Sequence, residues 1–126
     1  GHQLALQIVK DARRPTGIVA VNDLMALGLM SGLRETGLNV PADISVVGLD
    51  GLFLSAISNP RLTTVQLPVT EMARAMVERA MTRQCPPDAD ADDLVFNTTL
   101  LIERESVAAP PAQTSSITAR KRKTSK

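Results

Sequence analysis

The sequence predicts an α/β fold, a parallel sheet with flanking helices, and three observations carry that expectation. Residues 16–21 (T-G-I-V-A-V) and 44–49 (I-S-V-V-G-L) are brief apolar, β-branched runs of the kind found in strands covered on both faces. Between them, residues 24–36 form a long apolar segment bounded by Asn22-Asp23 in front and Gly37 behind, which reads as a capped helix. A strand, a helix and a second strand in that order imply a right-handed parallel crossover.

In chain order, Leu4, Ala5, Ile8 and Ala12 sit at helical spacing, and Pro15 closes that segment because a proline disfavours helix in the residue before it. The strand at 16–21 ends at Asn22-Asp23. Asp23 is placed to cap the helix over 24–36, whose side chains are apolar almost all round (Leu24, Met25, Ala26, Leu27, Leu29, Met30, Leu33). One face of it is therefore expected on the sheet and another against a partner. Gly28 and Gly32, four apart, leave room for a close backbone approach on one side. After Asn39-Val40-Pro41 the second strand runs to Asp50-Gly51. A short helix over 52–58, a turn at Asn59-Pro60 and an extended crossing segment over 62–67 follow.

Residues 70–83 give the clearest amphipathic helix. Val69, Met72, Ala73, Met76 and Ala80 line one side, and Glu71, Arg74, Glu78 and Thr82 the other. Thr70 is expected to cap it, with Glu71 suiting the positive helix N-terminus. An acidic loop over 85–93 leads to strand-like stretches at 94–101 and 102–107. From Ala108 onward Pro, Ala, Ser, Thr and basic residues predominate, so residues 108–126 are expected to form a disordered basic tail.

A chain of 126 residues with 44% apolar content can bury one core, so one domain, or part of one, is expected. The net charge of +1 conceals a split: Arg120, Lys121, Arg122, Lys123 and Lys126 all lie in the acid-free tail, which leaves residues 1–107 at −4. A body of that sign is a poor nucleic-acid surface, because phosphate binding needs clustered positive charge. Cys85 is the only cysteine, which excludes an intrachain disulfide and a zinc pattern and suits a reduced, cytoplasmic setting. No run of about 18 apolar residues spans a membrane, and residues 1–20 lack the basic-then-apolar order of a signal peptide. The chain begins at Gly1 rather than Met, so a preceding segment is expected.

Few motifs offer chemistry. Asp88, Asp90, Asp92 and Asp93 alternate like a calcium loop, but Asp93 stands where the loop needs glycine and Thr99 where it needs glutamate, so no metal is expected. No phosphate-cradling glycine pattern and no G-x-S-x-G occurs, so neither cofactor nor enzyme is expected. His2, the only histidine, has no acid or nucleophile nearby in sequence and reads as an unconstrained terminal side chain. The sharpest signal is geometric. Ligands of parallel α/β sheets bind beyond the carboxyl ends of the strands, and the two predicted strands end at Asn22-Asp23 and Asp50. An amide and a carboxylate aimed into one crevice suit a polyol, since the carboxylate accepts hydroxyl hydrogens and the amide both donates and accepts. Capping of local turns is the other role open to these side chains.

Three stretches resemble the C-terminal half of LacI/GalR-type bacterial transcription regulators: P-T-G-I-V-A-V-N-D-L-M-A-L-G (15–28), G-L-N-V-P-A-D-I-S-V-V-G-L-D (37–50) and P-R-L-T-T-V (60–65). The likeness runs to R-E-S at 104–106. It implies a partial periplasmic-binding-protein-like type I fold, in which residues 1–66 and 98–107 form a C-terminal subdomain and 67–97 are a remnant of an N-terminal one. It places Asn22, Asp50 and Val69 at a cleft for a small-molecule effector, a sugar or sugar derivative. Relatives often carry a second acid after the matched aspartate, where this chain has Gly51. The implied role is effector sensing and homodimerisation in a repressor that meets operator DNA only through an N-terminal helix-turn-helix module absent from these residues. An extracytoplasmic sugar-binding protein of the same fold is the alternative.

Overall fold

The computed structural model describes residues 1–82, 96 and 98–110. The acidic loop, Cys85 and nearly all of the basic tail lie outside the described residues. Four strands form one sheet in the order β1 (Gly17–Val19), β2 (Ser45–Asp50), β3 (Thr63–Gln66), β4 (Leu100–Ile102). The first three are parallel, with Val19 beside Val47 and Leu49 beside Val65. β4 departs from the all-parallel expectation: it is antiparallel to β3, with Val65 opposite Leu101. β3 carries the chain toward the edge where the next helix starts, and β4 brings it back.

Helix α2 (Asp23–Glu35) covers the sheet with Ala26, Leu29, Met30 and Leu33, which are buried with Leu38, Ile44, Val46 and Leu62. Its N-cap is Asn22, whose Oδ1 accepts a 2.8 Å bond from the Met25 N–H, and not Asp23 as the sequence suggested. Asp23 lies one residue inside the helix with its side chain fully buried. At the other end Gly37 takes a φ of +83° directly after the Thr36 C-cap, as the sequence indicated.

Helix α1 (His2–Ile8) lies along the small-residue side of α2. A Cβ on Gly32 would come within 2.7 Å of the Ala5 Cβ and 2.8 Å of the His2 carbonyl oxygen, so glycine is what permits the contact. The helix stops before Ala12 because Asp11 turns back on the chain, its carboxylate accepting the Arg13 N–H at 2.8 Å. His2 is not unconstrained: its Nε2 lies 2.8 Å from the Glu35 carboxylate, tying the start of α1 to the end of α2.

The expected strand over 102–107 stops at Ile102; beyond it isolated backbone bonds, Glu105 N–H to the Arg61 carbonyl at 3.0 Å and Val46 N–H to the Ser106 carbonyl at 2.9 Å, combine with side-chain bonds in place of a regular ladder. The Ser106 hydroxyl donates to the Val46 carbonyl at 2.6 Å and accepts from the Thr63 N–H at 2.8 Å, entirely buried. The Arg104 guanidinium donates to the Ser55 hydroxyl and the Leu62 carbonyl at 2.9 and 2.6 Å. Glu105 takes the Arg61 guanidinium and backbone N–H at 2.7–3.0 Å. Ala108, placed by sequence in the tail, is still held, its N–H donating to the Ser45 hydroxyl at 3.1 Å.

Helix α3 (Phe53–Ile57) is the short helix expected after β2, and α4 (Val69–Thr82) the amphipathic one. Pro68 stands in front of α4 and its carbonyl accepts the Met72 N–H, so the helix starts at Val69 and Thr70 lies inside it rather than capping it as the sequence suggested. The apolar side of α4 is left open: Val69, Met76, Val77 and Met81 are all more than half exposed. Among the described residues no helix is long and apolar enough to cross a membrane.

Candidate functional site

The C-terminal ends of β2 and β3 and the first turns of α3 and α4 surround a cleft of about 600 Å³. Its position follows from the sheet direction, since parallel strands all deliver their last residues, and the loops after them, to one edge. β2 ends at Asp50, whose φ of +121° is a conformation that non-glycine residues avoid. Gly51 follows at +75°, and a Cβ on it would lie 2.8 Å from the Gln66 side chain. Any side chain at this position has no room unless Gln66 moves.

Buried bonds hold this irregular turn. Asp23 accepts the Leu52 N–H at 2.7 Å through one carboxylate oxygen and the Thr64 hydroxyl at 2.6 Å through the other. Thr64 in turn accepts the Gly51 N–H at 3.3 Å. The Asp50 carbonyl accepts the Leu67 N–H at 3.4 Å, which draws the exit of β3 against the end of β2. Asp23 thus serves as a buried anchor for the turn that carries Asp50.

Two of the three residues singled out by sequence, Asp50 and Val69, line the cleft together. Asn22 is at the same edge of the sheet but is engaged in capping α2, and it is not among the lining residues. Sequence reasoning passed over Phe53, Gln66, Glu71 and Thr98, which also line the cleft. Phe53 is one of only two Phe, Tyr or Trp residues and lies three positions past the strand end, a signal available in the sequence. Glu71 was legible only as a partner for the helix N-terminus.

The electrostatics of the cleft are one-sided. Asp50 and Glu71 are its ionisable groups, and among the described residues no Lys, Arg or His lines it. Neither carboxylate has a hydrogen-bond or ion-pair partner among the described residues. Arg74, one turn beyond Glu71, does not line the cleft but an adjoining depression that shares Thr70 and Glu71 with it. Among the described residues no three His, Cys, Asp or Glu side chains gather as a metal site would need. Chemically, the cleft offers carboxylate, amide and hydroxyl groups to hydrogen-bond a polar ligand, and an exposed phenyl ring to pack against its apolar face.

Residues 2–107 match the family model of the periplasmic binding protein-like domain. The transcriptional regulator GalR of Escherichia coli strain K12 is 34% identical over 115 residues, covering 91% of this chain and 33% of GalR. The dimeric Lac repressor with an 11-residue C-terminal deletion superposes with a TM-score of 0.72 at 32% identity, over 87% of this chain and 40% of the repressor. A LacI family transcriptional regulator from Enterococcus faecalis V583 with bound ribose superposes at 0.71 with 34% identity, over 85% of this chain and 39% of the regulator. The chain spans about a third of the length of the curated relatives it matches.

Proposed function

The chain belongs to the periplasmic binding protein-like family of LacI/GalR-type transcriptional regulators, and from that premise we propose that it is the effector-sensing and dimerising part of a repressor. The effector is a sugar or sugar derivative, and the cleft beside Asp50 is where this chain meets it. The observation that carries the reading is Asp50 itself: an acid held at a φ of +121° by surrounding hydrogen bonds, lining a 600 Å³ cleft with no partner for its carboxylate among the described residues. Strain of this kind persists only where the surroundings impose it, and it clusters at ligand sites. The ribose-bound regulator from Enterococcus faecalis supports a sugar as the ligand class.

Val69 lines the same cleft from the start of α4, and Asn22, whose Oδ1 caps α2, is the third contact at the same sheet edge. Residues 1–66 and 98–107 act as one subdomain, with 67–97 crossing into a second. Ligand bound between the two biases their relative arrangement, and that difference in affinity between arrangements is what moves the DNA-binding module of the whole regulator. Leu24 on α2 and Leu54 and Ile57 on α3, all exposed, supply the apolar surface for a homodimer like that of the Lac repressor. The setting is cytoplasmic and the role regulatory rather than enzymatic.

The test is a titration of the isotope-labelled chain with ribose, followed by amide chemical shifts. Shifts concentrated at residues 50–53, 66–71 and 98–100 are expected, and they should vanish in Asp50→Asn. Saturating shifts elsewhere, or none with any sugar, would refute the assignment.

A further inference from the structure

We propose that the cleft selects its ligand by charge, taking sugars that carry no anionic group and rejecting sugar phosphates and sugar acids. This rests on the sugar-cleft reading above and narrows it. The relevant observation is the composition of the lining. Its two ionisable groups are both acids, Asp50 and Glu71, and among the described residues no cation lines the cleft beside them. Arg74 belongs to the neighbouring depression, together with Glu71 and Glu78.

One feature of this edge favours anions in principle. α4 is 14 residues long and begins at the cleft, and the free N–H groups of a helix N-terminus attract negative charge. In this chain an acid already stands beside that position. Glu71 lies in the first turn, so its negative charge offsets the positive end of α4 and an incoming phosphate would meet a like charge there. Asp50, at the facing end of β2, adds a second negative charge on the other wall. A carboxylate has only acceptors to offer, so both side chains ask for hydroxyl donors and give nothing to a phosphate oxygen. Phe53, 76% exposed, presents a ring face on which the C–H side of an uncharged sugar packs, a contact that a charged substituent would have to desolvate.

The experiment is a chemical-shift titration of the full chain with three matched pairs: ribose and ribose 5-phosphate, glucose and glucose 6-phosphate, and glucose and glucuronate. For the sugars that bind, the neutral member should bind at least tenfold more tightly than its anionic partner. Raising the salt concentration should narrow that ratio, because screening weakens repulsion between partly exposed charges. Glu71→Gln, on an exposed helix position, should narrow it as well. An anionic member binding as tightly as its neutral partner would overturn the proposal while leaving the sugar cleft standing. A ratio unmoved by both salt and Glu71→Gln would overturn it too, since the preference would then come from shape. If no member of any pair binds, the sugar-cleft reading itself fails and the charge rule fails with it.

Discussion

The Thr64 hydroxyl donates a 2.6 Å hydrogen bond to the Asp23 carboxylate, and both residues are entirely removed from solvent. This pair joins the first turn of α2 to the centre of β3, and through Leu52 and Gly51 it also fixes the turn that ends β2. The strand between them adapts to it: a Cβ on Gly48 would lie 2.1 Å from the Asp23 Oδ1, so β2 passes the carboxylate only as glycine.

Thr64→Val keeps the shape of the side chain and removes the donor, leaving a buried carboxylate oxygen unpaired. A loss of stability of about 1–3 kcal/mol is expected, the scale for an orphaned buried polar group, read from urea unfolding. Gly48→Ala should cost as much or more, because its methyl must displace Asp23. Unfolding midpoints unchanged in both variants would show that the anchor contributes nothing.

At Asp50, backbone and side chain make opposite demands. Asp50→Gly removes the carboxylate but suits a φ of +121°, whereas Asp50→Ala removes the carboxylate and keeps the strain. The glycine variant should be more stable than the alanine variant by about 1 kcal/mol. Both should lose sugar affinity by about 1–3 kcal/mol, from loss of a polar partner. Thermal melts and calorimetric titrations separate the two effects. Equal melts for the two variants would mean that the backbone carries no strain at this position.

Arg61 and Glu105 supply a pH dependence. The Arg61 side chain, and then its backbone N–H, hold the Glu105 carboxyl below the usual carboxylate range. A carboxyl depressed by folding contributes stability above its unfolded pKa and loses that contribution as pH falls through the folded value. Glu105→Gln should therefore be less stable than the parent chain at pH 7 and indistinguishable from it at low pH, where Glu105 is protonated in both states. The pair is about half exposed, so salt should also shrink the difference at pH 7. A gap between the two proteins that is the same at pH 7 and pH 3 would assign it to packing instead.

The parts of the fold that were legible in the sequence were those specified locally. The apolar runs of β1 and β2, the helix between them and its glycine stop all follow from neighbours within a few residues, but the expected cover on both faces fails for β1, an edge strand whose Val19 is 78% exposed. The choice between Asn22 and Asp23 as cap was not of that kind. Both residues cap helices well, and what puts Asp23 inside is Thr64 and Leu52, 41 and 29 positions away. The segment at 103–106 was misread as strand for the same reason, because its partners Val46, Ser55, Arg61 and Thr63 are remote in sequence. At the cleft, Asp50 was legible from the sheet rule alone. Phe53 and Glu71 were not, since an exposed aromatic and a first-turn acid acquire a role only when α3 and α4 begin at one edge.

β2 is bonded along both edges, to β1 and β3, whereas α4 exposes Val69, Met76, Val77 and Met81 to solvent. Apolar burial is worth about 25 cal/mol per Å², so each large side chain left in water forgoes on the order of 1.5–3 kcal/mol. Summed over the helix, that is comparable with the whole stability margin of a small domain, about 5–15 kcal/mol. Amides of 46–49 should therefore exchange slowly and those of 73–81 fast, since local opening of α4 costs little buried contact. Met76→Gln and Met81→Gln should leave the urea midpoint unchanged for the same reason. If the amides of α4 are protected as strongly as those of β2, and the methionine variants lower the midpoint, the apolar side of α4 is covered in solution. A fall in that protection on dilution would then identify the cover as a second copy of the chain.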